Sequence, residues 1–172
     1  MKDDATAAET PFWRFSLKFY RQSSVSEACI ALQDSFGVDV NLLLFLLWLA
    51  SDDRQLSAEE VKMLDDNVRD WRNLTIVPIR DVRRKLKGAA TLVEPDTQEA
   101  FRNRVKAVEL EAERLQQEAL YLFAKSGPLG TEALPPVAAL ANIAAYESVL
   151  GVNFPKPTIA ALASAFASVI GH

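Results

Sequence analysis

Apolar positions are densest in Asp39-Val-Asn-Leu-Leu-Leu-Phe-Leu-Leu-Trp-Leu-Ala50, where Asn41 is the only polar residue after Asp39. A helix that is apolar on every side must be enclosed by protein or by lipid. This stretch is too short for lipid, because a membrane span needs about 20 apolar residues. The pattern predicts a central helix over 39–50 with other helices packed around it.

The flanking patterns are helical as well. Thr10-Pro11 is a helix start, since threonine caps and proline suits the first turn. Phe12, Phe15 and Phe19 then fall on one face, and Trp13, Leu17 and Tyr20 on a second. Ser24-Val-Ser-Glu27 reads as a capping box for a helix carrying Val25, Ala28, Cys29, Leu32 and Phe36, with Gly37 as its C-cap. Asp39 caps the central helix. Ser57-Ala-Glu-Glu60 is a second capping box, and Val61, Leu64, Val68 and Trp71 form a single stripe behind it. Pro78 ends or restarts that helix, and a short basic helix continues towards Gly88.

Pro95-Asp96 opens the longest helix. Phe101, Val105, Val108, Ala112, Leu115, Ala119 and Leu122 alternate spacings of four and three, a heptad seam expected to lie along another helix of the same domain. A loop at 126–130 and another at 151–157 separate two further helices, the last one alanine-rich. No period-two alternation persists for five residues between turn signals. The expectation is an all-α bundle of about seven helices in one domain, residues 10–172, after a polar tail at 1–9.

Composition changes this picture little. The 172 residues are 49% apolar and 24% charged, with net charge −4 and a pI near 5.1. An acidic balance disfavours nucleic acid as a partner. One cysteine, Cys29, forms no intramolecular disulfide, and the opening residues show no signal-peptide pattern, so a cytoplasmic protein is expected. The sole histidine is His172, which leaves no basis for a Ser-His-Asp or Cys-His pair or for a Cys/His zinc site. Neither common glycine-rich phosphate loop occurs. No catalytic residue, metal site or cofactor is anticipated.

Over Phe12-Trp-Arg-Phe-Ser-Leu17, Val25-x-Glu-Ala-Cys29, Gly37-x-Asp-Val-Asn-Leu-Leu-Leu-Phe45 and Trp48-Leu-Ala50, the chain resembles a set of short proteobacterial proteins known only as a conserved domain of unknown function. The resemblance is densest over 11–50 and continues through Trp71-Arg72 and Pro78-x-Arg80. It implies a bacterial cytoplasmic origin and a single domain. It implies no activity, substrate or site.

Two groups of residues are candidates for function. The first is a basic stripe. Arg80, Arg84 and Lys87 share one helical face and Arg72 precedes them, a pattern suited to an acidic protein surface or a phosphorylated ligand. The competing expectation is internal neutralisation by residues 94–118, where seven acids face four bases. The second is a pocket among the N-terminal helices. Trp13, Tyr20, Trp48 and Trp71 would supply walls, and Arg14, Asp39 and Asn41 the convergent polar groups. Its competing reading is structural, with Asp39 capping and Arg14 pairing. Asp65-Asp66 reads as a solvated face. The leading expectation is a non-enzymatic interaction or regulatory protein that binds an acidic partner through the basic helix. A small-molecule binder or enzyme built on the second group is the alternative. Self-association through the heptad seam is a third, and the oligomeric state stays open.

Overall fold

The computed structural model describes residues 9–88 and 92–171. Residues 1–8 of the anticipated tail, and His172, lie outside them. The helices are α1 (Pro11–Tyr20), α2 (Ser23–Phe36), α3 (Val40–Ser51), α4 (Ala58–Trp71), α5 (Val77–Lys85), α6 (Pro95–Lys125), α7 (Pro135–Leu150) and α8 (Lys156–Ile170). A π turn, Arg72–Ile76, fuses α4 and α5 into one rod, so the described chain is seven continuous helical rods. The fold is all-α, with α3 as its axle.

From Asn41 to Leu47 every α3 side chain is buried, as are Leu49 and Ala50. Helix α3 packs chiefly on α7 and also touches α1, α2, α4 and α6. Burying each such leucine contributes about 1.5–3 kcal/mol. Ala138 and Ala139 on α7, both buried, let the two helices approach closely. Helix α1 docks through Phe12, whose ring meets Phe45 edge-on at 5.1 Å and Trp48 at 5.5 Å.

Capping residues behave as their chemistry requires at three of four predicted starts. Thr10 Oγ1 accepts from the Trp13 amide, Asp39 Oδ1 accepts from the Asn41 and Leu42 amides, and Ser57 and Glu60 form a reciprocal capping box. Glu60 also accepts from the Gly130 amide at 2.8 Å, fixing the α6–α7 loop. Gly130 has φ +69°, and a Cβ there would lie 2.6 Å from the Gln55 carbonyl oxygen, so only glycine fits. At α2 the expected box is absent. The helix starts two residues earlier, at Ser23, and its N-cap Gln22 makes no side-chain cap.

Three further features differ from expectation. Arg54–Gln55 (β1) pairs antiparallel with Thr131–Glu132 (β2), a ladder too short to leave an alternating pattern. Pro78 does not separate two helices, because the rod runs through it. Proline lacks the N–H that would reach the Leu74 carbonyl, and its ring crowds that carbonyl. The π turn, closed by Val77 N–H to the Arg72 carbonyl, absorbs both problems by inserting one residue.

The third difference concerns α6. Its buried residues are Glu109, Ala112, Gln116, Gln117 and Leu120. The predicted seam is not the packed face. Phe101, Val108, Leu115 and Leu122 are 46%, 52%, 40% and 60% exposed. Long polar side chains won the inner face because each finds a partner there, and hydrophobic periodicity cannot report that.

Candidate functional site

The loop between α2 and α3 is built to place Asp39. Gly37 ends α2 in the left-handed conformation, φ +68°, and Asp39 starts α3 two residues later. Oδ1 of Asp39 caps the helix. Oδ2 accepts from Arg72 Nη1 at 2.9 Å and from Gln116 Nε2 at 2.7 Å. The Asp39 amide donates to the Tyr146 hydroxyl at 3.0 Å. A buried carboxylate is costly unless paired and hydrogen-bonded, and this one has partners from α3, the π turn and α6.

Arg72 is the second hub. The same Nη1 donates to Asp65 Oδ1 at 2.8 Å, two turns back along the rod. Burial alone would depress its pKa, but the Asp39 charge and the bonds to both carboxylates hold it above the ordinary arginine value. Asp65 is thus a buried ligand of Arg72 and not a solvated residue. Arg14, expected near Asp39, is solvent-exposed on α1 and has no ion pair among the described residues. Arg72 takes the role expected of it.

Along α5 the basic residues divide. Arg80 Nε donates to Glu109 at 3.0 Å and Arg80 Nη2 to Glu113 at 2.8 Å. Arg83 also pairs with Glu109. For Glu109, burial pushes the pKa up, and the hydrogen bonds from Arg83 and Arg80 more than reverse it. For Glu113, burial prevails over Arg80 and its pKa is raised. The internal neutralisation weighed from the sequence therefore holds for Arg80 and Arg83. Arg84 pairs with Asp34 of α2 at 2.7 Å, both side chains 48% exposed. Lys87 is exposed and has no ion pair among the described residues.

Arg72, Arg80 and Arg84 nevertheless converge. They line a cleft of about 390 Å³ whose other wall is the Gly37–Val40 loop and the end of α2. Asn73 lies beside them, and Asp34, Asp39 and Asp81 face the same space. Arg72 from the basic stripe and Asp39 from the predicted pocket thus meet at one place. The other pocket candidates do not reach it. Trp13 is half-buried on α1, Asn41 accepts from Gln117 Nε2 at 2.8 Å inside the core, and Trp71 turns to α6, donating to the Ala112 carbonyl at 3.0 Å. Among the described residues no cluster of His, Cys, Asp and Glu is placed to hold a metal ion, and no helix is long and apolar enough to cross a membrane.

Residues 11–120 match the family described as Protein of unknown function (DUF2390). The chain belongs to that family. The matched span holds α1 through most of α6, and so both walls of the cleft. Asn142 and Tyr146 lie beyond it. No curated protein and no solved structure matches the chain.

Sequence reasoning missed Asp65, Gln116 and Gln117 as buried partners, and placed Glu109 only among the seven acids of 94–118 that could neutralise the basic helix. Asp65 carried one readable signal. It follows Val61 by four and precedes Arg72 by seven, on the stripe that turns inward.

Proposed function

We propose that this DUF2390 member is a non-enzymatic binding protein whose cleft between the α2–α3 loop and the π turn receives an acidic group. That group is a phosphate or carboxylate carried by a small ligand or an acidic protein partner. The supporting observation is the Arg84–Asp34 pair at the cleft mouth, exposed on both sides. A surface pair of this kind contributes about 0–1 kcal/mol. An incoming anion can replace Asp34 on Arg84 at little cost. Arg72 and Arg80 behind it are held in place by buried carboxylates, so they are positioned before a ligand arrives. The cleft volume falls in the range of small-molecule sites.

A bacterial cytoplasmic location is part of this proposal. It is supported by the buried free thiol of Cys29, which calls for no oxidising compartment. Thermal-shift and calorimetric titration with a panel of phosphorylated and carboxylated metabolites tests the reading. At least one should raise the melting temperature of the wild type, and Arg84→Ala should lose that response while keeping its own fold. A wild type that responds to no anion, or an Arg84→Glu variant that responds equally, refutes it.

A further inference from the structure

The longest helix leaves a periodic apolar row uncovered. Phe101, Val108, Leu115 and Leu122 recur every seven residues, and all four are exposed, although α6 is anchored to the body through Glu109–Leu120. The anchoring face is centred on Glu109, Gln116 and Leu120, about a quarter-turn round the helix from the row. Trp71 borders the row through its bond to the Ala112 carbonyl. From Phe101 to Leu122 the row runs about 32 Å at 1.5 Å per residue. Monomers tolerate scattered exposed apolar residues, but a heptad row sustained over three heptads is the mark of a helix that pairs with another.

The row is self-complementary in the antiparallel direction. Placed antiparallel about a two-fold axis midway between Val108 and Leu115, Phe101 of one copy meets Leu122 of the other, and Val108 meets Leu115. The residues three positions after the row, Arg104, Glu111 and Glu118, border it on the solvent side. In this register Arg104 faces Glu118 of the other copy twice over, and Glu111 faces its own equivalent once. Two opposite pairs against one like pair favours the antiparallel arrangement.

We propose that α6 is the self-association element of this protein. Two copies pair through antiparallel α6 helices, with the Phe101–Leu122 rows interdigitated and the clefts left open. The strip is about 32 by 10 Å, well below the roughly 800 Å² per partner of a standard stable interface. Association is therefore weak and reversible.

Sedimentation equilibrium of the full chain across micromolar concentrations tests this, together with disulfide cross-linking. Wild type should move from monomer to dimer, and Val108→Glu with Leu115→Glu should stay monomeric with an unchanged circular-dichroism melt. In the cross-linking arm, Val108→Cys mixed with Leu115→Cys should form the mixed disulfide in preference to either homodimer. Equivalent positions lie about 10 Å apart along the axis in this register, beyond disulfide reach. Buried Cys29 does not interfere. Wild type that remains monomeric overturns the proposal. So does a dimer that survives both glutamates, and so does preferential cross-linking of Val108→Cys to itself.

Discussion

Arg72 Nη1 lies 2.9 Å from Asp39 Oδ2 and 2.8 Å from Asp65 Oδ1, so one nitrogen with two hydrogens serves two carboxylates, one from the α2–α3 loop and one from α4. Arg72→Met leaves the buried Asp39 without a counter-charge, whereas Asp65 keeps Arg69 Nη2 at 3.0 Å from its Oδ2. A loss of about 3–5 kcal/mol is expected in chemical denaturation. Removing all three charges together, Asp39→Asn with Asp65→Asn and Arg72→Met, should cost less than the single change. An equal or larger loss in the triple variant would show that the ion cluster itself stabilises the fold.

Asn142 ties three chain segments together from inside α7. Its Oδ1 accepts from the Leu56 amide at 2.7 Å, and its Nδ2 donates to the Leu46 and Arg54 carbonyls at 2.9 and 3.0 Å. Asn142→Ala strands those groups in the core, at about 1–3 kcal/mol for each buried group left unpaired. Asn142→Asp should be worse, since it sets a charged oxygen against two carbonyls. Urea midpoints measure both, and an Asp variant as stable as wild type would contradict the bonding pattern.

Glu109 gives the fold an acid-sensitive clasp. Its folded pKa lies below the ordinary glutamate value because the bonds from Arg83 and Arg80 outweigh burial. A lowered folded pKa means the unfolded chain takes up the proton first as pH falls. The stabilisation is therefore complete above the ordinary value of about 4.3 and fades as pH drops through the folded value. The stability difference between wild type and Glu109→Gln should be present at neutral pH and vanish in strong acid. Glu113, whose pKa is raised, works in the opposite sense, so the Glu109 variant must be compared with wild type at each pH. A difference that grows on acidification would reverse the assignment.

Cys29 should be silent. Burial pushes its thiol up to about 12, and the side chain is fully enclosed between α2 and its neighbours. At pH 8 roughly one molecule in ten thousand would carry the thiolate. Labelling by a disulfide reagent should proceed only at the rate of unfolding and become immediate in denaturant. Fast stoichiometric labelling of the native protein would place Cys29 at the surface.

The sequence alone determined the axle and the punctuation. Asp39–Ala50 could only be a buried helix, because an all-apolar surface of that length has no other place to go. Thr10, Ser57, Gly37 and Asp39 read correctly because a cap acts within three residues of itself. Tertiary structure decided which polar side chains turn inward. Glu109, Gln116 and Gln117 displaced the apolar row of α6 from the core because Arg80, Arg83, Asp39 and Asn41 wait for them there, contributed by other helices. Arg72, not Arg14, reached Asp39 because the end of α4 lies against the α2–α3 loop, while Arg14 faces solvent on α1. Local rules fix where a helix begins and ends. The desolvation of a charge is settled only by the groups that meet it across the fold.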